Sequence, residues 1–198
     1  LFEQSGRERF ENDLADMKRH YLNTVSNFCD IDEDIDYRLG LMDRYGLSII
    51  ETALANSDLT ALPPDHRYLT WPGRYNDAER LLAWYGKDEP FDCPKYLANK
   101  LLMRKLAPDK PYASALCFSA VVEALGPYME ITMPDIYNIG AGLAPNSPEA
   151  AAALIEKNYP MLELSGREPF NRIWYITQAF SLRRPESGRQ LLRYPTPE

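Results

Sequence analysis

The spacing of apolar residues constrains the fold of this chain more than any other feature of its sequence. Two stretches carry apolar residues at spacings that place them on one face of an amphipathic helix. The first comprises Phe10, Leu14, Met17, Tyr21, Val25 and Phe28. The second comprises Ile35, Leu39, Met42, Ile49, Ile50 and Leu54. Ser5 and Glu8 form a capping box before the first stretch, so the sequence predicts a helix over about residues 7–28 and a second helix after it.

Further helices are predicted along the rest of the chain from apolar spacing, capping residues and proline positions. They are expected over 76–86, 94–106 and 112–125, from Ser147, and over 169–182. The stretch 128–132 is compatible with a strand, but the sequence offers no partner for it. Sixteen prolines suit many short connections. The sequence therefore predicts an all-α fold, a single irregular multi-helix bundle of six to eight helices that forms one domain over residues 1–198.

Five acidic residues crowd into the seven positions from 30 to 36, which is the highest density of charge in the chain. They are Asp30, Asp32, Glu33, Asp34 and Asp36. Such a cluster attracts basic partners and speeds their association, which makes it a candidate partner-binding surface. The alternative is structural, because the run lies between the first two predicted helices, where acidic residues cap a helix and complement its dipole. Capping accounts for two or three of the five acids.

Charge and composition exclude several classes of function. The net charge is −7 and the isoelectric point is near 5.0, whereas general binding to nucleic acids or anionic membranes needs a basic face. No apolar run is long enough to suggest a membrane span, and the first residues lack the regions of a signal peptide. Three widely spaced cysteines do not indicate a disulfide framework. We therefore expect a cytoplasmic protein that binds neither nucleic acid nor membrane.

Motifs for metals, cofactors and catalysis are incomplete. The start of an EF-hand calcium loop at Asp30 fails at Ile35 and Leu41, where the loop needs a glycine and a bidentate glutamate. The two histidines, His20 and His66, lack metal-ligand spacing. The sequence thus predicts no metal, no cofactor and no assignable catalytic residue. His66 is a weak candidate for a general base, since no nucleophile is identified beside it.

Protein binding is the leading hypothesis for function. Residues 57–76 predict a long loop in which Tyr68 and Trp71 are candidate exposed anchors, with packing over the bundle as the alternative. Together with the acidic run, they suggest a cytosolic protein-binding module that neutralises a basic protein, as a small acidic inhibitor or immunity-type protein does. Two other classes stay open: an enzyme whose site no short motif reveals, and a helical subunit of a larger assembly. The sequence indicates neither an oligomeric state nor a known family.

Overall fold

A computed structural model describes residues 2–26, 34–116 and 119–134. It also describes residue 156 and short strands at 172–173, 182–183 and 190–192. The predicted helix that begins at Ser147 lies outside the described residues. Among the residues that the structure describes, no helix has the length and apolar character needed to cross a membrane. The chain divides into two compact units, Leu1–Asp88 with Pro94–Ala113 and Glu89–Cys93 with Ser114–Glu198.

The first unit alternates helices with parallel strands. In chain order its elements are α1 (Phe2–Arg19), β1 (Thr24–Ser26), α2 (Ile35–Tyr45), β2 (Ser48–Glu51), α3 (Arg67–Arg74), β3 (Leu81–Tyr85), α4 (Cys93–Leu106) and the start of β4 (Tyr112–Leu116). Strand β1 pairs with β2, β2 with β3, and β3 with β4, always in parallel. The spatial order of the strands is therefore their order in the chain. This singly wound β/α topology is the connection pattern of (β/α)8 barrels.

The second unit continues the same alternation. The last three residues of β4 pair in parallel with β5 (Ile131–Pro134), and β5 pairs in parallel with β6 (Arg172–Ile173). Helix α5 (Ser119–Leu125) lies between β4 and β5 in the sequence. Strands β7 (Leu182–Arg183) and β8 (Gln190–Leu192) form an antiparallel pair. The stretch 128–132, which the sequence left compatible with a strand, overlaps β5 at Ile131 and Thr132, and both partners of β5 lie in segments that the sequence assigned to helices.

The predicted all-α bundle is wrong, because the described residues form a mixed fold with parallel strands. Strand β2 lies in the second predicted helix, β3 lies in the predicted helix 76–86, and β4 lies in the predicted helix 112–125. All five residues of β4 are buried. A parallel strand covered on both faces is a short, continuous apolar run, and periodicity alone does not distinguish such a run from a buried helix.

The outcome for the other predicted helices follows local signals. The predicted helix 94–106 is confirmed as α4, whereas β6 contradicts the predicted helix 169–182. Helix α1 ends at Arg19 instead of continuing to residue 28. Of its predicted apolar stripe, Phe10 and Leu14 are buried, but Tyr21 is 94% exposed and has a left-handed φ of 60°. The chain turns at Tyr21 and enters β1.

The boundaries of α2 are set by a capping residue at each end. The Asp34 carboxylate accepts a hydrogen bond from the Tyr37 amide at 3.0 Å and so caps the first turn. The helix ends at Gly46, whose φ of 63° is left-handed and is adopted readily only by glycine. Leu41 and Met42 are buried on its inner side. Helix α2 thus connects β1 to β2, which pair directly with each other.

Candidate functional site

Active sites in singly wound β/α folds lie in the loops that follow the carboxyl ends of the strands. In the first unit, three strands end at Ser26, Glu51 and Tyr85. The register pairs Ser26 with Ile50 and Glu51 with Trp84. The carboxyl ends of β1, β2 and β3 therefore lie side by side. We describe the side chains at these ends as the candidate site.

Glu51 forms a buried ion pair with Arg38 of α2. The Arg38 Nε atom lies 2.9 Å from Glu51 Oε2, and the two side chains are only 2% and 1% exposed. The other carboxylate oxygen, Oε1, accepts a hydrogen bond from the Ala53 amide at 2.9 Å. Both oxygens are therefore engaged, so Glu51 holds the end of β2 against α2 and anchors the first residues of the next loop. Such a pair is favourable only while both charges are present.

The end of β3 forms a tightly built turn. The buried Tyr85 hydroxyl donates a hydrogen bond to Asp88 Oδ1 at 2.6 Å. The Gly86 amide donates to the Ala113 carbonyl at 2.8 Å, which joins the turn to β4. A Cβ atom on Gly86 would lie 2.6 Å from Tyr112 Cζ, so only glycine fits without a shift. The backbone that leads to Asp88 is therefore held by the Tyr85–Asp88 hydrogen bond and by contacts with β4.

The Tyr112 ring that confines Gly86 is itself held in place. It is 3% exposed and stacks on the Tyr96 ring of α4, with 5.5 Å between the ring centroids. Burial raises the pKa of the Tyr112 hydroxyl, which keeps this ring neutral over the range in which most proteins are stable. A substitution at Gly86 would have to displace a packed ring.

Replacing Gly86 with Ala is expected to destabilise the protein by about 1–3 kcal/mol, which is the usual cost of overpacking a well-packed site. Urea denaturation measures this change in the free energy of unfolding. Gly40 provides the matched control, because a Cβ atom added there meets nothing within 4 Å. Since Gly40 lies inside α2, its replacement by Ala should stabilise the protein by about 0.5–1 kcal/mol. Equal effects of the two substitutions would contradict the packing at Gly86.

Glu89 directly follows this turn. It is partly exposed, and its φ of 44° lies in the left-handed region that non-glycine residues rarely adopt. Backbone strain of this kind clusters at functional sites, where the surrounding structure maintains it. Sequence analysis missed Glu89, Tyr85 and the Arg38–Glu51 pair. The assignment of β2 and β3 to helices hid the strand ends at Glu51 and Tyr85.

The loop between β2 and α3 is anchored to the start of α4. The Asn99 side chain is 4% exposed, accepts a hydrogen bond from the Thr60 amide at 3.3 Å and donates one to the Ser57 carbonyl at 3.1 Å. Asp58 lies 2.8 Å from Lys95 Nζ in the first turn of α4. Hydrogen bonds from Lys95 and Thr60 lower the pKa of Asp58. Because α4 follows β3, these contacts hold the loop at the carboxyl ends of the strands.

Tyr68 and Trp71 lie in α3 and not in a loop. His66 caps this helix, since its Nδ1 atom accepts a hydrogen bond from the Tyr68 amide at 3.2 Å. The Tyr68 and Trp71 rings are partly exposed, with 5.2 Å between their centroids. The guanidinium of Arg67 lies over both rings, at 5.5 Å from the Tyr68 centroid and 5.2 Å from the Trp71 centroid. We call Arg67, Tyr68 and Trp71 the aromatic clamp; whether these rings anchor a protein partner stays a prediction.

Two members of the acidic run have internal partners. Asp34 is the cap of α2 and lies 3.7 Å from Arg7. Asp36, in the first turn of α2, accepts hydrogen bonds from Arg74 and from the Tyr75 hydroxyl, the latter at 2.9 Å. The structural alternative for the run is thus confirmed for these two residues. Asp30, Asp32 and Glu33 lie outside the described residues, and a basic partner for the run stays a prediction.

Tyr75 makes stability depend on pH in the alkaline range. Burial and the hydrogen bond to Asp36 raise its pKa to about 12 from the ordinary value of 10.0. The unfolded state then loses this proton first, so the stabilisation is complete below pH 10 and is lost as the pH rises towards 12. Tyr75→Phe should therefore lose less stability over this range than the unmodified protein. Urea denaturation at several pH values between neutral pH and pH 12 measures the free energy of unfolding of both proteins. Tyr21→Phe is the control, because Tyr21 is exposed. An equal loss of stability with pH in Tyr75→Phe and in the unmodified protein would refute the role of Tyr75.

Among the described residues, no group of three or more His, Cys, Asp or Glu side chains is placed so that it could hold a metal ion. The candidate site is thus built from carboxylates, aromatic rings and arginines. Such side chains support proton transfer and the binding of polar ligands.

Comparison with known proteins identifies the fold. No family model matches the sequence, and no curated protein matches it. Among solved structures, the chain is similar to the β-D-glucuronidase of Dictyoglomus thermophilum, with a TM-score of 0.59 and 14% identity over 93% of this chain and 36% of that one. It is similar to the GH2 β-galacturonidase of Eisenbergiella tayi, with a TM-score of 0.54 and 14% identity over 90% and 33% of the two chains. It is also similar to the β-mannanase of the blue mussel Mytilus edulis, with a TM-score of 0.50 and 14% identity over 87% and 80%.

These likenesses show a common fold, and the chain spans about a third of the length of the first two enzymes. They contradict the hypothesis of an acidic inhibitor or immunity-type protein, which rested on the acidic run and the candidate aromatic anchors. The similar structures are glycoside-cleaving enzymes with a mixed fold. Two of the acidic residues that suggested an inhibitor have structural roles inside the first unit. Asp34 caps α2, and Asp36 pairs with Arg74.

Proposed function

We propose that this chain is the catalytic part of a β-glycoside hydrolase in which Glu89 acts as the general acid. One observation carries the proposal: a partly exposed glutamate follows the carboxyl end of β3 in a left-handed backbone conformation. Catalytic residues of singly wound β/α enzymes come from the ends of several strands. The strained backbone at Glu89 indicates a position where function is favoured over local stability.

The chemistry of glycoside cleavage explains why a carboxyl group is needed there. Most glycoside hydrolases use a pair of carboxyl groups, one of which protonates the glycosidic oxygen as its bond to the sugar breaks. The other stabilises or attacks the positively charged sugar. At the strand ends described in the first unit, Glu51 is engaged by Arg38, and Asp88 accepts the Tyr85 hydrogen bond. A carboxylate at the end of another strand would complete the pair with Glu89.

The rigid turn before Glu89 supports this role. Proton donors work best when the scaffold holds them in place before the substrate binds. Tyr85, Gly86 and the packed ring of Tyr112 restrict the backbone up to Asp88. The three similar structures are enzymes for β-glucuronide, β-galacturonide and β-mannan cleavage by their names. Their fold supports the class of reaction by analogy, and it does not select among these sugars.

A screen of chromogenic glycosides tests the proposal. The chain is incubated with the 4-nitrophenyl β-glycosides of glucuronic acid, galacturonic acid and mannose, and release of 4-nitrophenolate is followed by absorbance. The corresponding α-glycosides serve as matched controls, because they have the same leaving group and the opposite anomeric configuration. We expect release from at least one β-glycoside and none from its α-anomer. Release from none of the β-glycosides would overturn the proposal.

A further inference from the structure

We propose that His66 is a pH-dependent cap of α3: its neutral imidazole holds the first turn of the helix in place, and protonation of the ring releases that turn. The inference goes beyond the proposed function and does not depend on it. It is carried by one hydrogen bond and by the weakness of the other interactions that stabilise α3.

The His66 side chain accepts a hydrogen bond from the backbone of the helix that it precedes. Its Nδ1 atom lies 3.2 Å from the Tyr68 amide nitrogen. Its φ of −65° and ψ of 136° give the extended backbone of a residue that caps a helix without belonging to it. A ring nitrogen that accepts a hydrogen bond carries no proton, so the neutral ring carries its proton on Nε2. The bond therefore selects one tautomer of the neutral imidazole.

Protonation of His66 is incompatible with this bond. Both nitrogens of an imidazolium are donors, so the Nδ1–H group would face the Tyr68 N–H group and neither could accept. The positive end of the α3 dipole also repels the new charge. Histidine is the side chain that ordinarily changes its charge between pH 5 and 8, which makes this the range over which we expect the cap to be lost.

The groups around His66 provide no substitute for the cap. Its side chain contacts the Tyr68 amide and the edge of the Tyr68 ring, with 4.7 Å between the ring centroids, and it forms no ion pair among the described residues. Its chain neighbours Asp65 and Arg67 are both exposed and have opposite effects on a cation between them. Asp58 of the preceding loop pairs with Lys95 of α4 at 2.8 Å.

The first turn of α3 depends on its cap because little else stabilises this helix. It has eight residues, a length at which isolated helices are marginal. Pro72 lies inside it and cannot donate a backbone hydrogen bond. All eight residues are described, and Pro72 alone is buried. Loss of the cap would therefore disorder the first turn, which carries Arg67 and Tyr68 of the aromatic clamp.

Urea denaturation of His66→Ala and His66→Asn at pH 8 and at pH 5 tests the cap. Asparagine is among the best capping residues and does not titrate, whereas alanine cannot cap. At pH 8, the unmodified protein and His66→Asn should both have an unfolding equilibrium constant about 2- to 30-fold below that of His66→Ala. At pH 5, the unmodified protein should lose this advantage over His66→Ala, and His66→Asn should keep it.

His20 is the other histidine of the chain and provides the matched control. It is exposed, and its Nε2 atom lies 3.7 Å from Asp16 Oδ1, so a proton on His20 does not disfavour the folded protein. The effect of His20→Ala on stability should therefore not shrink towards pH 5. In addition, His20→Asn leaves His66 as the single histidine, whose ring nitrogens NMR can then observe. We expect the tautomer with its proton on Nε2 at pH 8.

Two results would overturn the proposal. One is a neutral His66 ring that carries its proton on Nδ1. The other is an advantage of the unmodified protein over His66→Ala that is the same at pH 5 and at pH 8. The NMR measurement needs no substitution at His66, so the first result can be obtained even if His66→Ala does not fold. Neither measurement uses a glycoside, so both are independent of the proposed function.

Discussion

Replacing Glu89 with Gln is expected to lower the rate of β-glycoside hydrolysis by about 10²- to 10⁴-fold, the usual contribution of a general acid. Glutamine is nearly the same size and keeps a hydrogen-bonding amide, but it cannot protonate the glycosidic oxygen. The fall should appear in kcat more than in KM, because proton donation acts in the transition state. Steady-state kinetics on the best β-glycoside of the screen measures it.

The leaving group provides a sharper test of the same role. Nitrophenolate is stable as an anion and needs little protonation, whereas an alkoxide leaving group needs a proton. Glu89→Gln should therefore impair hydrolysis of a methyl β-glycoside more than hydrolysis of the nitrophenyl β-glycoside. Glu79→Gln is the matched control, since Glu79 is an exposed glutamate just before β3. If both variants lose activity equally, or if the loss does not depend on the leaving group, Glu89 is not the general acid.

Replacing Glu51 with Gln is expected to destabilise the protein by about 3–5 kcal/mol, because it leaves a buried guanidinium without its counter-charge. Arg38 is only 2% exposed and cannot reach water without disrupting the packing of α2. Losses of this size are a large part of the total stability of an ordinary domain. Urea denaturation at neutral pH measures the change, and the variant should show a lower transition midpoint with a similar slope.

A second ion pair in the same unit provides a matched control. Arg44 Nη1 lies 2.9 Å from Glu11 Oε2, the same separation as in the buried pair, but its side chain is 62% exposed. Arg44→Gln should therefore cost less than about 1 kcal/mol. The double variant Arg38→Met with Glu51→Leu should recover much of the lost stability, since apolar replacement of a buried pair is often neutral. A Glu51→Gln variant as stable as Arg44→Gln would contradict the burial argument.

Sequence reasoning succeeded where the signal is local. The helix over Cys93–Leu106 depends on residues within a few positions of one another. The same holds for capping by the acidic run, which was the structural alternative and which Asp34 fulfils. Parallel strands lack such local marks. Residues 48–51 continue the apolar stripe that begins at Ile35, and the stripe outweighed Gly46, which is the local signal for the end of α2. The stripe therefore predicted one long helix where α2 and β2 stand.

The candidate site was missed for the same reason. Tyr68 and Trp71 were candidate exposed anchors in a predicted loop, with packing over the bundle as the alternative, and the structure places them partly exposed in α3. Glu89 has no local motif that would single it out. Glu89 becomes a candidate only because β3, which ends four residues before it, is a strand paired with β2 and β4. The sequence predicted a helix over residues 76–86. The error in the fold thus concealed the strand ends, and with them the site.

The sequence by itself determined the acidic character of the chain and the apolar segments that become buried. Only the tertiary structure decided that short apolar segments are strands, because each gains its hydrogen bonds from a strand distant in the sequence. Glu51 pairs with Trp84, and Trp84 pairs with Tyr112. A segment that is equally apolar on all sides forms a strand when such partners exist and a buried helix when they do not. The end of β3, and with it the turn from Tyr85 to Asp88, depends on that non-local pairing.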